Sequence, residues 1–235
     1  MKNFKSQFTL IVLFILATIN LGAQDIISME PFDGVSVLGN IEVTLEKGEK
    51  PQVIVETYDI SEDDVSIFVK EGRLKLQLLK TIFRDNQEVK IKVIYAEELD
   101  FIKVGAGADL SSKEVIKADD LEIKAMAGAE IELEINVEKL RVSSSEGADI
   151  ELSGTAQRQY ATAATGGEYD GLNLQCEETH AKANTGGELA IVALSSLYAK
   201  ANTGGSIEYA GHPETKNINS AFTGKIRRVK KIFTQ

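Results

Sequence analysis

The sequence has few of the residues on which catalytic and metal sites most often depend. Its 235 residues include one cysteine, two histidines and no tryptophan. Cys176 cannot form an internal disulfide, and beside Leu174 it fits a small buried hydrophobe better than a reactive thiol. His180 and His212 have no second histidine or cysteine at ligand spacing. Metal centres and histidine-based catalysis are therefore unsupported, and we expect no cofactor.

Other catalytic patterns are also missing. Serines abound, but no GxSxG nucleophile elbow occurs. Glycoside hydrolysis needs two carboxylates at a defined separation, one of them with a raised pKa, and the carboxylates here are numerous but repetitive. Apart from the basic C-terminal end, Arg141 and Arg158 are the only arginines of the regular repeats that could assist a lyase, and the tyrosines are scattered. We expect a non-catalytic protein.

The first 23 residues have the pattern of a secretory signal. Lys2 and Lys5 precede an apolar run over residues 8–19, and small residues end at Ala23. The run is shorter than the roughly 20 residues that a membrane-spanning helix needs. We therefore expect cleavage near Ala23 and export to the periplasm or cell surface. No cysteine lies near this position, so a lipid anchor is not expected, and neither is a transmembrane segment after cleavage.

The charge balance is acidic. The formal net charge is −10, and it becomes about −12 once Lys2 and Lys5 are removed. An acidic exported chain repels nucleic acid and anionic headgroups, so we expect no nucleic-acid partner.

The most informative pattern is a glycine-containing step that recurs about every nineteen residues. Each step is followed by one residue, usually acidic, and then by a β-former or aromatic residue. A fixed period of this kind is typical of a solenoid. The steps are GADL at Gly107, GAEI at Gly128, GADI at Gly147, GGEY at Gly166, GGEL at Gly186, GGSI at Gly204 and TGKI at Thr223.

Apolar residues align in columns when the repeats are superposed. Positions within a repeat that lie an even number of residues apart share one face of a β-strand. The residues between the first two columns, Lys103, Lys124, Ser143, Thr162, Lys182 and Lys200, should therefore face outward. The inward columns are Ile102, Ile123, Val142, Ala161, Ala181, Ala199 and Ile218; Val104, Ala125, Ser144, Ala163, Ala183, Ala201 and Ser220; and Leu110, Ile131, Ile150, Tyr169, Leu189, Ile207 and Ile226.

These columns predict an all-β, parallel β-helix-like solenoid of about seven regular coils. Successive coils should rise about 4.8 Å along the axis. We place the regular coils in residues 99–235 and an irregular β-rich part, which caps the solenoid, in residues 24–98. The GNIEV sequence at Gly39 resembles the later GAEIEL, which predicts that the repeat starts there in imperfect form. A leucine-rich-repeat horseshoe is the alternative solenoid, but its consensus spacing is absent.

An outward acidic column follows the glycine corner and is the clearest chemical feature. Stacked coils bring its carboxylates within about 5 Å of each other, where they repel unless solvated, protonated or bridged by a cation. Weak calcium binding is one interpretation, but calcium needs six to eight converging oxygens, so a solvated acidic face is favoured. The column is Asp109, Glu130, Asp149, Glu168 and Glu188, and a second set comprises Glu132, Glu151, Asp170 and Glu208.

Two further polar features have structural interpretations. Thr165, Thr185 and Thr203, with Asn184 and Asn202, should form short polar stacks at the corner. The basic C-terminal end should protect the open edge of the last coil from pairing with another chain; binding of an anionic partner is the alternative. This end contains Lys225, Arg227, Arg228, Lys230 and Lys231.

The run of GADL, AGAEIEL, EGADIELSG, TGGEY, NTGGEL and NTGGSIEYAG-x-P resembles the family of exported proteins called putative auto-transporter adhesin head, or GIN, domains. The resemblance covers nearly the whole mature chain. It implies a right-handed parallel β-helix-like fold in the periplasm or on the cell surface, with no enzyme activity or catalytic residues to transfer. An autotransporter needs a C-terminal membrane barrel, and we do not expect one after Gly224.

Three functions are compatible with these features. The first is an adhesin-like module of the cell envelope that binds a protein or glycan partner through a rigid solenoid face. The second is a carbohydrate-active enzyme on the same fold, and the third is a structural envelope component that assembles end to end. A long groove with aromatic residues would favour glycan binding.

Overall fold

The structure, a computed structural model, describes residues 25–57, 65–78 and 89–230. The expected signal sequence and Lys231 lie outside these residues. Within them all regular elements are β-strands, and no helix there could span a membrane. The strands are β1 Asp25–Ser28, β2 Gly34–Leu38, β3 Ile41–Lys47, β4 Gln52–Thr57, β5 Val65–Lys70, β6 Arg73–Leu78, β7 Val89–Tyr95, β8 Phe101–Gly105, β9 Asp109–Ser112, β10 Ile116–Met126, β11 Glu130–Ser145, β12 Asp149–Ala164, β13 Glu168–Asn184, β14 Glu188–Val192, β15 Ser196–Ala201, β16 Ser206–Ala210, β17 Thr215–Ser220 and β18 Lys225–Arg228.

The repeats stack as a parallel β-solenoid of about seven turns, as the period predicts. Strands β8 and β10 to β18 pair in parallel with the equivalent strand one coil away. The register places equivalent repeat positions side by side: Ile123 pairs with Ile102 on one side and Val142 on the other. Side chains then alternate between core and surface, because consecutive residues of a strand point to opposite faces.

The three predicted inward columns line the core, and the last coil is the exception. Before the last coil every member is buried: Ile102 to Ala199 in the first column, Val104 to Ala201 in the second and Leu110 to Ile207 in the third. Ile218, however, is 43% exposed, and Ser220 is also exposed. Both pair with strand β15 on one side only, so no further coil covers them. The expectation that these two residues belong to the buried core is therefore wrong.

Each corner is a tight turn in which two successive residues have positive φ. At one corner φ is 57° at Glu146 and 72° at Gly147. At five of the corners the glycine amide donates to the equivalent corner of the next coil, as in Gly128 N to Glu146 O at 3.2 Å. The corners are thus stacked by hydrogen bonds as well as by strand pairing.

The residue after the corner glycine controls how closely two coils approach. In the first coils this residue is alanine, as in Ala148, which is buried. From Gly167 onward it is glycine, and a Cβ at Gly167 would lie 2.5 Å from the backbone carbon of Ser144. The two glycines of such a corner therefore have different roles. The first, as at Gly166, has a positive φ, and the second, as at Gly167, lets the backbones of two coils approach closely.

The N-terminal part joins the same stack in a different order. Strands β2 and β3 pair with β8 and β9 on one side and with β6 and β7 on the other. Val43 pairs with Leu110, so the imperfect repeat at Gly39 is a coil. Strands β6 and β7 come later in the chain than β2 and β3, but they form the coil that lies outside them at the N-terminal end of the stack.

The two ends of the stack are built differently. At the N-terminal end, antiparallel strands β5 and β4 cover β6 and β7, and β1 pairs with β4. At the C-terminal end, β17 and β18 each pair on one side only, and all six residues of β17 are exposed. Lys225, Arg227 and Arg228 lie at this open edge and are exposed, as expected for edge protection.

A buried polar cluster fills the core where the inward columns narrow to alanine. The Tyr169 hydroxyl donates to Gln159 Oε1 at 3.1 Å. Gln159 Nε2 donates to Thr179 Oγ1 at 3.0 Å, and Thr179 Oγ1 donates to the Val192 carbonyl at 2.7 Å. Gln159 and Thr179 are fully buried. Because each of these polar groups has a partner, the bulky side chains fill the space without leaving an unsatisfied polar atom.

Candidate functional site

The predicted acidic column exists as a continuous row on the surface. Asp109, Glu130, Asp149, Glu168 and Glu188 are exposed and pair in register from coil to coil. The row extends one coil further than the repeats indicated, because Glu42 pairs with Asp109. It ends at Ser206 and Lys225 on the C-terminal side.

The N-terminal end of the acidic column is neutralised by a lysine, and its middle is not enclosed. Lys90 Nζ lies 2.8 Å from Glu42 Oε2 at the N-terminal end. Part of the column lines a shallow depression of ≈ 300 Å³. No group of three or more acidic, histidine or cysteine side chains in the described residues has a geometry that could hold a metal ion. The arrangement is that of a solvated acidic face.

The second acidic set is shorter and interrupted. Glu132, Glu151 and Asp170 pair in register, but the next position is Ala190. Glu208 resumes the row one coil later and accepts a hydrogen bond from Arg227 Nε at 2.9 Å. This face therefore carries negative charge over most of its length and becomes basic at the C-terminal edge.

The strands before the corner carry an aromatic ladder. Tyr160, His180 and Tyr198 pair in register on three successive coils. Their rings stack with centroids 4.7 Å and 4.6 Å apart and interplanar angles of 22° and 10°. The expectation that the tyrosines are scattered is therefore wrong for Tyr160 and Tyr198. They are separated in the sequence but lie one coil on either side of His180.

A hydrogen bond and an ion pair, both made by Glu178, hold the central ring of the ladder. His180 Nε2 lies 2.7 Å from Glu178 Oε1, and Arg158 Nε lies 3.0 Å from Glu178 Oε2. The hydrogen bonds from His180 and then Arg158 lower the pKa of Glu178 below its usual range. Glu178 thus stays ionised and orients His180 between the two tyrosines.

A lysine column runs parallel to the ladder, two residues further along each strand. Its members are, in stack order, Lys75, Ser36, Lys103, Lys124, Ser143, Thr162, Lys182, Lys200 and Asn219. The column contains no acidic residue. Five of its nine members are lysines, so this column is basic although the whole chain is acidic. The acidic column lies beyond the corner, on the strands that follow it.

An open groove of ≈ 410 Å³ lies between the ladder and the lysine column. Its base is the strand backbone at Ala161, Ala181 and Ala199. Tyr160, His180 and Tyr198 form one wall, and Thr162, Lys182 and Lys200 form the other. The Cα atoms of the two walls are about 6.6 Å apart, because the wall residues lie two positions apart on the same strand. The groove runs across the strands, along the solenoid axis, and ends at Asn217 and Asn219.

A further depression of ≈ 500 Å³ lies on another part of the surface. Polar side chains line it, among them Lys117, Asn136, Thr155, Gln175 and Glu177. The rings of the aromatic ladder are not among its lining residues. We regard the groove beside the ladder as the better candidate, because it combines aromatic and cationic side chains.

The remaining reactive side chains have structural roles. Burial raises the pKa of the Cys176 thiol and, more strongly, that of the Tyr169 hydroxyl. Cys176 is free and buried, as expected of a core residue. His212 contacts Arg228 rather than a ligand cluster. At the corner Asn202 Nδ2 donates to Asn184 Oδ1 at 3.1 Å, which agrees with the predicted polar stack.

The sequence alone did not reveal the aromatic ladder, although its signal is present. Tyr160, His180 and Tyr198 each directly precede an inward alanine, Ala161, Ala181 and Ala199 respectively. Aligning the outward positions as well as the inward ones would have placed the three rings in one column.

Comparison with known proteins gives a family and a fold. A family model described as "putative auto-transporter adhesin, head GIN domain" matches residues 31–213. A search of the curated proteins finds no match. A putative adhesin from Bacteroides fragilis has a similar structure, with a TM-score of 0.79 at 23% identity over 88% of this chain and 96% of that chain.

Two other solved structures show the same fold at lower similarity. A putative lipid binding protein from Parabacteroides distasonis has a TM-score of 0.68 at 21% identity, and a putative adhesin from Parabacteroides merdae has 0.69 at 19%. Each match covers 88% of this chain and 96% of the other. At these identities the likeness defines the architecture, and the ladder and lysine column must be interpreted from their own chemistry.

Proposed function

Because this chain belongs to the family of putative auto-transporter adhesin head, GIN, domains, we propose that it is an exported, non-catalytic interaction module of the cell envelope. It binds a protein or glycan partner through a rigid face of the solenoid. The secretory pattern of residues 1–23 supports export, with the mature chain in the periplasm or at the cell surface.

The observation that carries this proposal is the Tyr160–His180–Tyr198 ladder beside Lys182 and Lys200. Aromatic side chains in contact with solvent offer contact area together with a polar group at low conformational cost. The side chains project from strands that pair on both sides, so the face is formed before any partner arrives. A preformed face reduces the ordering cost of binding.

A non-catalytic role is supported by the state of the carboxyl groups. A glycosidase acid needs a raised pKa. Burial alone would raise the pKa of Asp120, but hydrogen bonds from Arg141 and Lys139 lower it overall. The pKa of Glu178 is also lowered. In the described residues, the carboxyl groups whose pKa is clearly displaced have a lowered pKa. This favours the ionised form over the protonated form that a glycosidase acid needs.

An array of bacterial envelope and host glycans, probed with the mature chain, tests this proposal. We expect the chain to bind at least one glycan without releasing products from it. The variant Tyr160→Ala/Tyr198→Ala should lose binding, and the control Glu130→Gln/Asp149→Asn on the acidic face should keep it. Equal binding by both variants would contradict the assignment of the face, and product release would favour the enzyme alternative.

A further inference from the structure

We propose that the groove between the aromatic ladder and the lysine column binds an acidic, linear polysaccharide built from uronic acids. The polymer runs along the solenoid axis, and its carboxylates contact Lys182 and Lys200. This inference rests on the proposed function and specifies the chemistry of its partner.

The free cations of the groove carry the first part of the inference. Within the described part of the chain, neither Lys182 nor Lys200 makes a hydrogen bond or ion pair. This contrasts with Lys124, whose Nζ lies 2.6 Å from Glu122 Oε1. Lys182 and Lys200 occupy equivalent positions on successive coils, so their backbones lie about 4.8 Å apart. Two neighbouring cations one coil apart match two neighbouring carboxylates of a polymer in which every sugar is acidic.

The orientation of the aromatic rings carries the second part. The three rings stack along the solenoid axis and cover each other's inner faces. Because the groove runs along the same axis, it meets the edges of the rings. The edge of an aromatic ring carries partial positive charge and its face partial negative charge. The ladder therefore favours an anionic group over the apolar face of a neutral sugar. Its exposed tyrosines also bring hydroxyl groups that can donate or accept hydrogen bonds.

Polar side chains at the rim and end of the groove suit a ligand rich in hydroxyl groups. Thr162 lies beside Lys182 in the lysine column, and Asn217 and Asn219 close the C-terminal end. Amide and hydroxyl groups can both donate and accept hydrogen bonds. Sugar hydroxyls can pair with these groups while the carboxylates occupy the cationic wall.

The shape of the groove favours a narrow polymer over a membrane or a peptide. An anionic bilayer would also approach Glu178 and the acidic residues around the corner, which repel it. An extended peptide usually binds by adding to a free strand edge, and the strands that line the middle of this groove are paired on both sides. A polysaccharide needs neither a flat basic surface nor a free backbone edge.

Calorimetric titration of the mature chain with polygalacturonate, alginate and hyaluronan oligosaccharides tests this inference. The matched neutral probe is polygalacturonate whose carboxyl groups have been chemically reduced. We expect at least one acidic probe to bind, with an affinity that falls as salt rises, and the reduced probe to bind at least about tenfold more weakly. Lys182→Gln/Lys200→Gln should weaken acidic binding by a similar factor.

Two controls keep the outcomes distinct. Lys113→Gln/Lys117→Gln removes the same charge outside the groove and should leave binding unchanged; an equal loss in this variant would overturn the inference. Equal binding of acidic and reduced probes, or binding only to phosphatidylglycerol vesicles or to an acidic protein, would also overturn it. If such binding depends on Tyr160 and Tyr198, the proposed function survives. If no acidic probe binds, the inference is overturned. The proposed function falls with it only if the glycan array also shows no binding that depends on Tyr160 and Tyr198.

Discussion

Ile131 and Ile150 are register partners on adjacent parallel strands, although nineteen positions separate them in the sequence. Both follow a glycine corner by three residues, and both are buried. The same relationship repeats along the solenoid, so a residue type that recurs at the repeat period becomes a continuous row. The core, the acidic column and the lysine column are all consequences of this stacking.

The first prediction concerns the stacked core. Replacing Ile150 by alanine should lower the free energy of unfolding by about 2–5 kcal/mol, because it leaves a cavity between two coils. Ile218→Ala is the matched control, and since Ile218 is 43% exposed in the last coil its cost should stay within about 0.5 kcal/mol. Urea unfolding followed by circular dichroism measures both. Similar costs at the two positions would contradict the stacked core.

The second prediction separates the two glycines of one corner. Gly166 has a φ of 73° with open space around it, whereas a Cβ at Gly167 would meet the backbone of Ser144. Gly166→Ala should cost about 1 kcal/mol from the left-handed conformation. Gly167→Ala should cost about 3 kcal/mol, because the two coils must move apart. The same unfolding experiment would contradict this account if the order of the two costs were reversed.

The third prediction concerns the buried polar cluster. Gln159→Leu should destabilise the chain by about 1–3 kcal/mol, because it leaves the Tyr169 hydroxyl buried without a partner. Adding Tyr169→Phe should cost less than the sum of the two single changes, since the pair is then removed together. A double-mutant cycle on unfolding free energies gives the coupling. Strict additivity would show that the hydroxyl and the amide do not interact.

The fourth prediction is a pH dependence at Glu178. Its pKa is lowered in the folded state from an ordinary value of 4.5, by His180 first and Arg158 second. A lowered folded pKa stabilises the fold above the unfolded pKa, and this contribution is lost as pH falls through the folded value. Wild type should therefore exceed Glu178→Gln in stability at neutral pH, with the difference shrinking below about pH 4.5.

Thermal unfolding from pH 3 to pH 7 measures this difference. Glu138→Gln removes the same charge from an exposed position with no ion pair in the described residues, and it serves as the control. A difference between wild type and Glu178→Gln that is constant with pH would show that the contacts of Glu178 with His180 and Arg158 do not stabilise the fold.

Repetition explains how much of the structure the sequence could reveal. Ile102, Ile123 and Val142 recur at the repeat period, so their register follows from counting residues. The same counting placed Asp109 and Glu130 in one outward row and Lys182 and Lys200 in another. These predictions succeed because each coil is positioned mainly by its neighbours.

The parts that could not be predicted depend on contacts outside the period. Glu42 joins the acidic column because the outer coil at the N-terminal end is formed by the later strands β6 and β7, and a sequence repeat does not specify that order. Gln159 and Thr179 depend on the carbonyl of Val192, whose position is set by packing. Ile218 follows the repeat but lacks the next coil that would bury it.

The central claim is that stacking brings Tyr160 and Tyr198 together on a binding face, and ring-selective NMR tests it most directly. The chain has six tyrosines, whose ¹³C-labelled ring signals can be assigned by single Tyr→Phe changes. On titration with the acidic oligosaccharide that binds, the Tyr160 and Tyr198 signals should shift together, while those of the buried Tyr95, Tyr169 and Tyr209 stay in place. Binding that leaves Tyr160 and Tyr198 unshifted would contradict the claim.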